Sequence, residues 1–414
     1  MNYRFTYLLL VLMIFFSCSK NQITLPPNGL NANLINTTPI SNTVMKNMEG
    51  IYSLSSGSSS LGSEFVCKVS KNKISFFSNN ENGIFFILGY GYNQANGSIQ
   101  FSGFWRYSQN ATQGTIKFSV ASTDGASDLL LNGIVSHLQL KGNFNPSNQA
   151  ISLQYKRPFS QYVLTHEFVI FAHHGVQTTA NPPYAQNSIN GVLHDEDYGV
   201  DALEFDVRLT KDNVPICMHD ANYDIRLTQK GPVYGDFNLY TFDFLENYVR
   251  LVDGQKIPSL AQALQVFVDS TTMKYFWMDV KGDPDVFKYM EPIVRDAYAR
   301  AHAANRDVVI FADLPSTSVI DEYRKQPSYG ADLPCMCELS LQDAIDNNCK
   351  YFGPRFTLGL LLDDVNKGHS LGIKTYTWSL NDKTTIEKYL QDGNFDGAIS
   401  DYPAYLIYDY YGLK

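Results

Sequence analysis

The stretch Leu203–Asp220, which reads LEFDVRLTKDNVPICMHD, decides the fold of the C-terminal part of this chain. It predicts a hairpin. The first strand, in which apolar and acidic residues alternate, is followed by a turn at residues 212–213 and by an apolar strand that ends in a His-Asp pair. Glu204 and Asp206 are two residues apart, so both carboxylates point to one face of an extended strand. Antiparallel partners whose numbers sum to about 425 would set His219 opposite Asp206. Two carboxylates and an imidazole on one small surface can hold a hard divalent cation beside a general acid or base. The alternative interpretation is a half-buried hairpin with a charged outer face.

Strands and helical stretches alternate from about residue 168 onward, a pattern that favours a largely parallel sheet covered by helices. Eight strands are predicted when the return strand of the hairpin is counted as an excursion: Val169–His173, Ala202–Val207, Tyr275–Val280, Val308–Ala312, Pro334–Leu339, Lys350–Phe356, Lys374–Ser379 and Gly397–Asp401. Helices are predicted at Ser259–Val268, Pro284–Ala304, Leu341–Asn347 and Asp382–Asp392. About 245 residues with eight such strands predict an α/β fold, a (β/α)8 TIM barrel over residues 165–414.

Polar and titratable side chains collect at the predicted C-terminal ends of these strands and in the loops that follow them. That end of a (β/α)8 barrel carries the active site, so the collection predicts a catalytic pocket. The residues concerned are His173, His174, Asn187, Glu204, Asp206, His219, Asp279, Lys281 and Trp378.

A separate all-β domain is predicted over residues 46–158, where runs rich in Ile, Phe, Val and Tyr recur about every ten residues. The runs are Gly50–Tyr52, Glu64–Val69, Lys73–Phe77, Gly83–Gly89, Ser98–Tyr107, Gly114–Ala121, Leu130–Leu140 and Ala150–Tyr155. They favour a small antiparallel barrel or a sandwich. The opening Met48–Tyr52 resembles the lipocalin-like group, whose barrels hold one apolar ligand, but we predict a filled core with a spacer or docking role.

Residues 1–17 have the pattern of a signal peptide. Arg4 supplies a positive charge, and the apolar run Leu8–Phe16 is too short to span a bilayer. The ending before Cys18 resembles the lipobox of bacterial lipoproteins, which implies cleavage there and acylation of the Cys18 thiol. The protein would then be exported and anchored to a membrane, on its periplasmic or cell-surface face, with residues 18–45 as a tether. An ordinary secretory peptide with an incidental cysteine is the alternative.

The composition is that of a folded protein with more than one domain, at 414 residues, 44% hydrophobic and 18% charged. The formal net charge of -9 leaves no basic surplus to displace counterions from a nucleic-acid backbone. Nucleic acid is therefore excluded as the main partner, whereas a phosphodiester bound through a metal is compatible with this charge.

Five short motifs follow one another along the chain: His173-His174-Gly175, Glu204-Phe205-Asp206, His219-Asp220, Asp279-Val280-Lys281 and Asp401-Tyr402-Pro403. Their order resembles that of the glycerophosphodiester phosphodiesterase family, within the phosphatidylinositol-phospholipase-C-like TIM barrels. The match runs from about residue 169 to residue 403 and is strongest in the hairpin. Three roles are implied by this resemblance. The acid–base pair is His173 and His219. The ligands of one divalent cation, Ca²⁺ or Mg²⁺, are Glu204, Asp206 and Asp279. The contacts to phosphate and substrate are His174, Asn187, Lys281 and Trp378.

This chain departs from the family's motifs at three positions. His174 stands where the family has Arg, Gln186 where it has Glu, and Asp279 where it has a longer Glu. A fixed bidentate grip on phosphate is thereby replaced by a titratable donor. The departures bear on the identity of the substrate more than on the class of reaction.

Three functions remain to be separated. The leading hypothesis is a phosphodiester hydrolase that cleaves glycerophosphodiesters or related lipid head-group esters by His–His acid–base catalysis with a divalent cation. A phospholipase C- or D-like enzyme acting on intact phospholipids would use the same chemistry. A non-catalytic surface lipoprotein that binds phosphorylated head groups or glycans belongs to another class, and the retention of two histidines and three acids argues against it.

Overall fold

The computed structural model describes residues 34–175, 182–327, 329 and 333–414. The predicted signal peptide, the acylation site Cys18 and most of the tether lie outside the described residues. Within the described ranges, no helix combines the length and the apolar character needed to cross a bilayer.

The N-terminal domain is a closed antiparallel barrel in which each strand pairs with its neighbours in sequence. Its strands are β1 (Gly50–Ser56), β2 (Glu64–Ser70), β3 (Lys73–Ser78), β4 (Ile84–Asn93), β5 (Ser98–Tyr107), β6 (Gln113–Val120), β7 (Gln139–Phe144) and β8 (Gln149–Arg157). Its helices are α1 (Asn42–Lys46) and α2 (Ala126–Asn132). The prediction of a strand over Leu130–Leu140 is wrong, because α2 ends at Gly133, whose left-handed backbone N–H caps the helix, and β7 begins only at Gln139.

Aromatic side chains fill the interior of this antiparallel barrel. Tyr52, Phe76, Phe86 and Phe118 are buried there, and their ring centroids lie 5.3–6.5 Å apart in successive pairs. An interior packed in this way agrees with the predicted filled core.

One outer face of the antiparallel barrel packs against the C-terminal domain. Phe77 and Phe85 point outward and belong to the apolar core of that domain, where Phe85 meets Tyr198 edge-on at 5.4 Å. The Lys73 ammonium forms an ion pair with the Asp197 carboxylate across the same interface. The two domains are therefore held together by a shared apolar core and by buried polar contacts.

The C-terminal domain confirms the predicted (β/α)8 barrel. Its parallel strands are β9 (Val169–Ala172), β10 (Ala202–Leu209), β12 (Tyr275–Val280), β13 (Val309–Leu314), β14 (Cys335–Cys337), β15 (Tyr351–Phe352), β16 (Lys374–Thr377) and β17 (Gly397–Ser400). The barrel closes because β9 pairs with both β17 and β10. The short strand β11 (Pro215–Cys217) is the antiparallel excursion on β10.

Helices cover this barrel on the outside. They are α3 (Gln161–Thr165), α4 (Ile189–His194), α5 (Phe242–Tyr248), α6 (Leu260–Ser270), α7 (Val286–Ala303), α8 (Thr317–Arg324), α9 (Leu341–Asp346), α10 (Leu362–Ser370), α11 (Lys383–Asp392) and α12 (Pro403–Tyr411). The predicted helices correspond to α6, α7, α9 and α11.

The inner face of the barrel changes from apolar to charged along its axis. On β10 the inward positions are Ala202, Glu204 and Asp206, while Leu203 and its alternate neighbours pack outward against the helices. On β12, Asp279 is the register partner of Asp206. The sequence thus brings carboxylates to the C-terminal mouth of the barrel above an aromatic core.

Candidate active site

The register of the hairpin differs by one residue from the prediction. Val207 pairs with Cys217, so partner numbers sum to 424, and the Met218 N–H donates to the Asp206 carbonyl oxygen at 3.1 Å. The prediction that His219 lies opposite Asp206 is therefore wrong, because the turn is centred on one residue, Asp212, rather than between two. His219 reaches the site from the segment after β11.

Three carboxylates form a cluster at the mouth of the barrel. One oxygen from each of Glu204, Asp206 and Asp279 lies within 4.8 Å of the others. Glu204 and Asp206 are buried, with 1% and 0% of their surface exposed. The Lys281 ammonium lies 2.8 Å from Asp206 Oδ1 and 2.5 Å from Asp279 Oδ2, so it contacts two of the three acids.

The electrostatics of this cluster fit an additional cation. Burial and the charge of Asp206 raise the pKa of Glu204 well above its ordinary value. Burial would also raise the pKa of Asp206, but the neighbouring His174 ring and Lys281 ammonium hold it well below its ordinary value. Among the described residues, Glu204 Oε1 is buried with no hydrogen-bond partner. A buried, unpartnered carboxylate oxygen beside two more carboxylates is a donor set that suits a divalent metal ion.

His173 is oriented by a carboxylate on the last strand of the barrel. Its Nδ1 is hydrogen-bonded to Asp401 Oδ1, and its Nε2 lies 4.0 Å from Glu204 Oε2. Asp401 is itself fixed by Asn381, whose Nδ2 donates to Oδ2 at 2.6 Å. Burial alone would lower the pKa of His173, but the bond to Asp401 and the nearby carboxylates raise it to about 9. The imidazole therefore carries a proton at neutral pH.

His219 is also supported by a neighbouring carboxylate. Its Nδ1 lies 2.6 Å from Asp220 Oδ1, and the Arg226 Nη2 lies 2.6 Å from the same oxygen. Burial would raise the pKa of Asp220, but the hydrogen bonds from its neighbours hold it well below its ordinary value. An ionised carboxylate only accepts, so Nδ1 of His219 donates to Asp220, and in the neutral form of the ring Nε2 has the lone pair.

His174 and Asn187 both contact the carboxylate cluster. The His174 ring stacks on His173 at 3.7 Å, its Nδ1 lies 2.9 Å from Asp206 Oδ2, and its backbone N–H donates to Glu204 Oε2 at 2.8 Å. Burial and the charge of His173 lower the pKa of His174. Asn187 donates to Asp206 Oδ2 at 2.6 Å and accepts from the Asp206 backbone N–H at 3.0 Å. Asn187 thus fixes the Asp206 carboxylate through two hydrogen bonds and is 1% exposed.

A cavity of about 800 Å³ opens at the C-terminal ends of the strands and is lined by His173, His174, Glu204, His219, Asp279 and Lys281. Trp378 forms part of its wall, held by a hydrogen bond from its Nε1 to the Gly353 carbonyl at 3.0 Å, with the Arg355 guanidinium 5.3 Å from its ring. Glu338 also lines the cavity, and burial together with the charge of Asp279 raises its pKa to about 8.

Residues that support the site were not singled out from the sequence. For Asp401, its place at the end of the last predicted strand is the available signal. Glu338 had the same signal at the end of the fifth strand. Arg226 and Asn381 lie in loops where nothing in the sequence marks them. All four are polar groups that position or adjoin a predicted site residue.

Comparison with known proteins places this site in a family. The model of the glycerophosphoryl diester phosphodiesterase family matches residues 173–405, which is more than half of the chain. The chain belongs to the glycerophosphoryl diester phosphodiesterase family. It is thus a phosphoric diester hydrolase by family, and the match spans all nine residues to which the sequence assigns a catalytic, metal or substrate role.

Two curated relatives resemble the C-terminal domain. The glycerophosphodiester phosphodiesterase of Caldanaerobacter subterraneus subsp. tengcongensis is 24% identical over 244 residues, which cover 58% of this chain and 96% of the relative. YhdW of Bacillus subtilis (strain 168), provisionally named as a glycerophosphodiester phosphodiesterase, is 26% identical over 256 residues, or 58% of this chain and 97% of the relative.

Solved structures of this family are similar over the same region. A glycerophosphodiester phosphodiesterase from Parabacteroides distasonis is 20% identical, with a TM-score of 0.47, and covers 60% of this chain and 98% of its own. A phosphodiesterase from Oleispira antarctica, solved with its product sn-glycerol-3-phosphate, is 17% identical, with a TM-score of 0.45, and covers 59% and 97%.

Proposed function

We propose that this protein hydrolyses glycerophosphodiesters, or related lipid head-group esters, with a divalent cation and two histidines. The observation that carries the proposal is the meeting of five groups at one mouth. His173 and His219, each backed by an ionised carboxylate, face the cluster of Glu204, Asp206 and Asp279. Family membership supports the same reaction.

The two histidines divide the proton transfers between them. His219 Nε2, with its lone pair, takes the proton of the attacking hydroxyl, which belongs either to water or to the substrate itself. As the bond between phosphorus and the leaving oxygen breaks, protonated His173 gives its proton to that oxygen. Lys281 contacts the anionic phosphate, and Trp378 bounds the alcohol. Glu204, Asp206 and Asp279 would hold a cation such as Ca²⁺ or Mg²⁺, which would supply positive charge to neutralise the phosphate.

The Asp401→Asn variant tests the role of His173. Because Asp401 raises the pKa of His173, its loss as a charge lowers that pKa. His173 then loses its proton at a lower pH. The alkaline limb of the pH profile of kcat/KM is therefore expected to shift to lower pH by about one unit or more. Asp307→Asn, at a side chain that is 86% exposed, is the matched control and should leave the profile in place. An unmoved limb in Asp401→Asn would argue against His173 as the acid.

The substrate class is tested with the full chain, freed of metal by a chelator and then supplied with divalent ions. Glycerophosphodiesters and intact diacyl phospholipids are offered separately, and the phosphorus products are identified by ³¹P NMR. We expect metal-restored release of a phosphomonoester or a cyclic phosphate from the deacylated substrates. Turnover confined to the diacyl lipids would favour a phospholipase C- or D-like enzyme. Binding of esters without turnover of any would favour a non-catalytic surface protein.

Export and anchoring of the protein are part of the same proposal. The lipobox-like ending before Cys18 supports acylation, which would hold the catalytic domain beside a membrane through a tether. Mass spectrometry of the mature N-terminus tests this directly. We expect the mature protein to begin with an acylated Cys18. A mature N-terminus at a later residue, with no acyl group, would contradict the proposal.

A further inference from the structure

His174 occupies an unexpected place for a residue aligned with a phosphate-binding arginine. The residue lines the wall of the cavity but is only 8% exposed, and its ring is stacked on one side against His173. Nδ1 faces the carboxylate cluster, 2.9 Å from Asp206 Oδ2 and 3.5 Å from Glu204 Oε2.

The contact with Asp206 is not a hydrogen bond in the geometry that the structure shows. His174 Nδ1 is buried without a hydrogen-bond partner among the described residues, although a carboxylate oxygen lies close to it. That oxygen already accepts from Asn187 at 2.6 Å. Glu204 Oε1 is likewise buried without a hydrogen-bond partner among the described residues. One potential ligand atom from each of His173, His174 and Glu204 lies within 4.8 Å of the others. A buried nitrogen and a buried oxygen on side chains this close together, both unpartnered, are what a shared cation would satisfy.

The backbone places His174 there. Its φ of +56° and ψ of 23° are left-handed, and its backbone N–H is tied to Glu204 Oε2. Gly175 follows in the same region at φ +62°, where an added Cβ would lie 1.8 Å from the Phe205 ring. The chain therefore reverses tightly after β9, and the reversal turns the His174 ring back over the carboxylates.

We propose that His174 is a nitrogen ligand of the metal ion, so that the site selects a first-row transition ion over Mg²⁺ and Ca²⁺. The proposal rests on the metal site of the proposed function and adds a nitrogen to its carboxylate donors, since Glu204 belongs both to the carboxylate cluster and to the group that it forms with His173 and His174. Imidazole binds Zn²⁺ and its neighbours well, whereas Mg²⁺ and Ca²⁺ prefer oxygen throughout. Where an arginine would repel a cation, this chain offers a lone pair.

The test measures binding to the metal-free full chain in the absence of substrate. Affinities for Mg²⁺, Ca²⁺, Mn²⁺ and Zn²⁺ are obtained by calorimetry, and electron spin echo modulation of the Mn²⁺-loaded protein detects a coordinated imidazole nitrogen. His174→Asn is the informative variant, because Asn tolerates a left-handed backbone and offers oxygen in place of nitrogen.

We expect His174→Asn to lose the nitrogen modulation and about 10- to 100-fold in Zn²⁺ affinity, while its Mg²⁺ affinity stays within about threefold. Retained Mg²⁺ binding shows that the variant is folded. His219→Ala is the matched control, since that ring lies 5.2 Å from His174 but outside the cluster, and it should keep both signals. Unchanged modulation and Zn²⁺ affinity in His174→Asn would overturn the proposal. Since no substrate is present, this result is independent of whether phosphodiesters are cleaved.

Discussion

Replacing His219 by alanine is expected to lower kcat/KM toward glycerophosphodiesters by about 10²- to 10⁴-fold, the range that a positioned general base contributes. The reason is geometric. Asp220 holds the proton on Nδ1 of His219, and Nε2 is then the lone pair available to the attacking hydroxyl. Metal affinity should be unaffected, because His219 is not among the groups of potential ligands. Steady-state kinetics on the metal-loaded variant, beside a calorimetric titration, provide the measurement.

The control for this prediction is another histidine held by a carboxylate. His369 Nε2 lies 2.8 Å from Asp396 Oδ2, and neither residue lines the catalytic cavity. His369→Ala should therefore keep wild-type kinetics. If His219→Ala and His369→Ala lost activity to the same extent, the loss would reflect a folding defect. The result would then give no support to His219 as the general base.

Glu204→Gln is expected to separate function from stability. Gln keeps the oxygen that accepts from the His174 backbone N–H but removes the negative charge from the cluster. Activity should fall by about 10³-fold, which corresponds to about 4 kcal/mol, as the cation loses a carboxylate ligand. Affinity for the divalent ion should fall with it, measured by calorimetry.

The thermal stability of the metal-free Glu204→Gln protein should rise, whereas its activity and metal affinity fall. Burial and Asp206 raise the pKa of Glu204, so in the folded metal-free protein its ionisation costs free energy as the pH rises above the ordinary carboxyl pKa. Gln has no such cost, and at neutral pH the metal-free variant should melt above the metal-free wild type. Glu338→Gln, at a cavity carboxyl outside the cluster, should keep its metal affinity. A Glu204→Gln protein that binds metal as tightly as wild type would contradict this assignment of the ligands.

Sequence periodicity predicted the strands of both barrels well, because buried strands carry dense runs of β-branched and aromatic residues. It failed for helices without clear start signals. The helix α10 follows Leu361, which has a left-handed backbone and no capping side chain. The helix α12, Pro403–Tyr411, is rich in Tyr, which favours strands on propensity alone, and it becomes helical through burial against the barrel.

The site was predictable where residues follow the strand register and unpredictable where loops supply them. Glu204, Asp206 and Asp279 are inward positions on adjacent strands, so their meeting follows from alternation. The position of His219 depends on a turn that is one residue different from the expected one. The direction of the His174 ring depends on a left-handed backbone that the letters alone do not show.

The two histidines are proposed to exchange protons with a phosphodiester held at the carboxylate cluster. The most direct test compares His173→Ala and His219→Ala on a glycerophosphodiester and on a nitrophenyl phosphodiester, whose leaving group needs no protonation. We predict that His173→Ala loses about 10²-fold or more on the first substrate but stays within about tenfold of wild type on the second, whereas His219→Ala loses activity on both. Wild-type rates from both variants on both substrates would contradict the account.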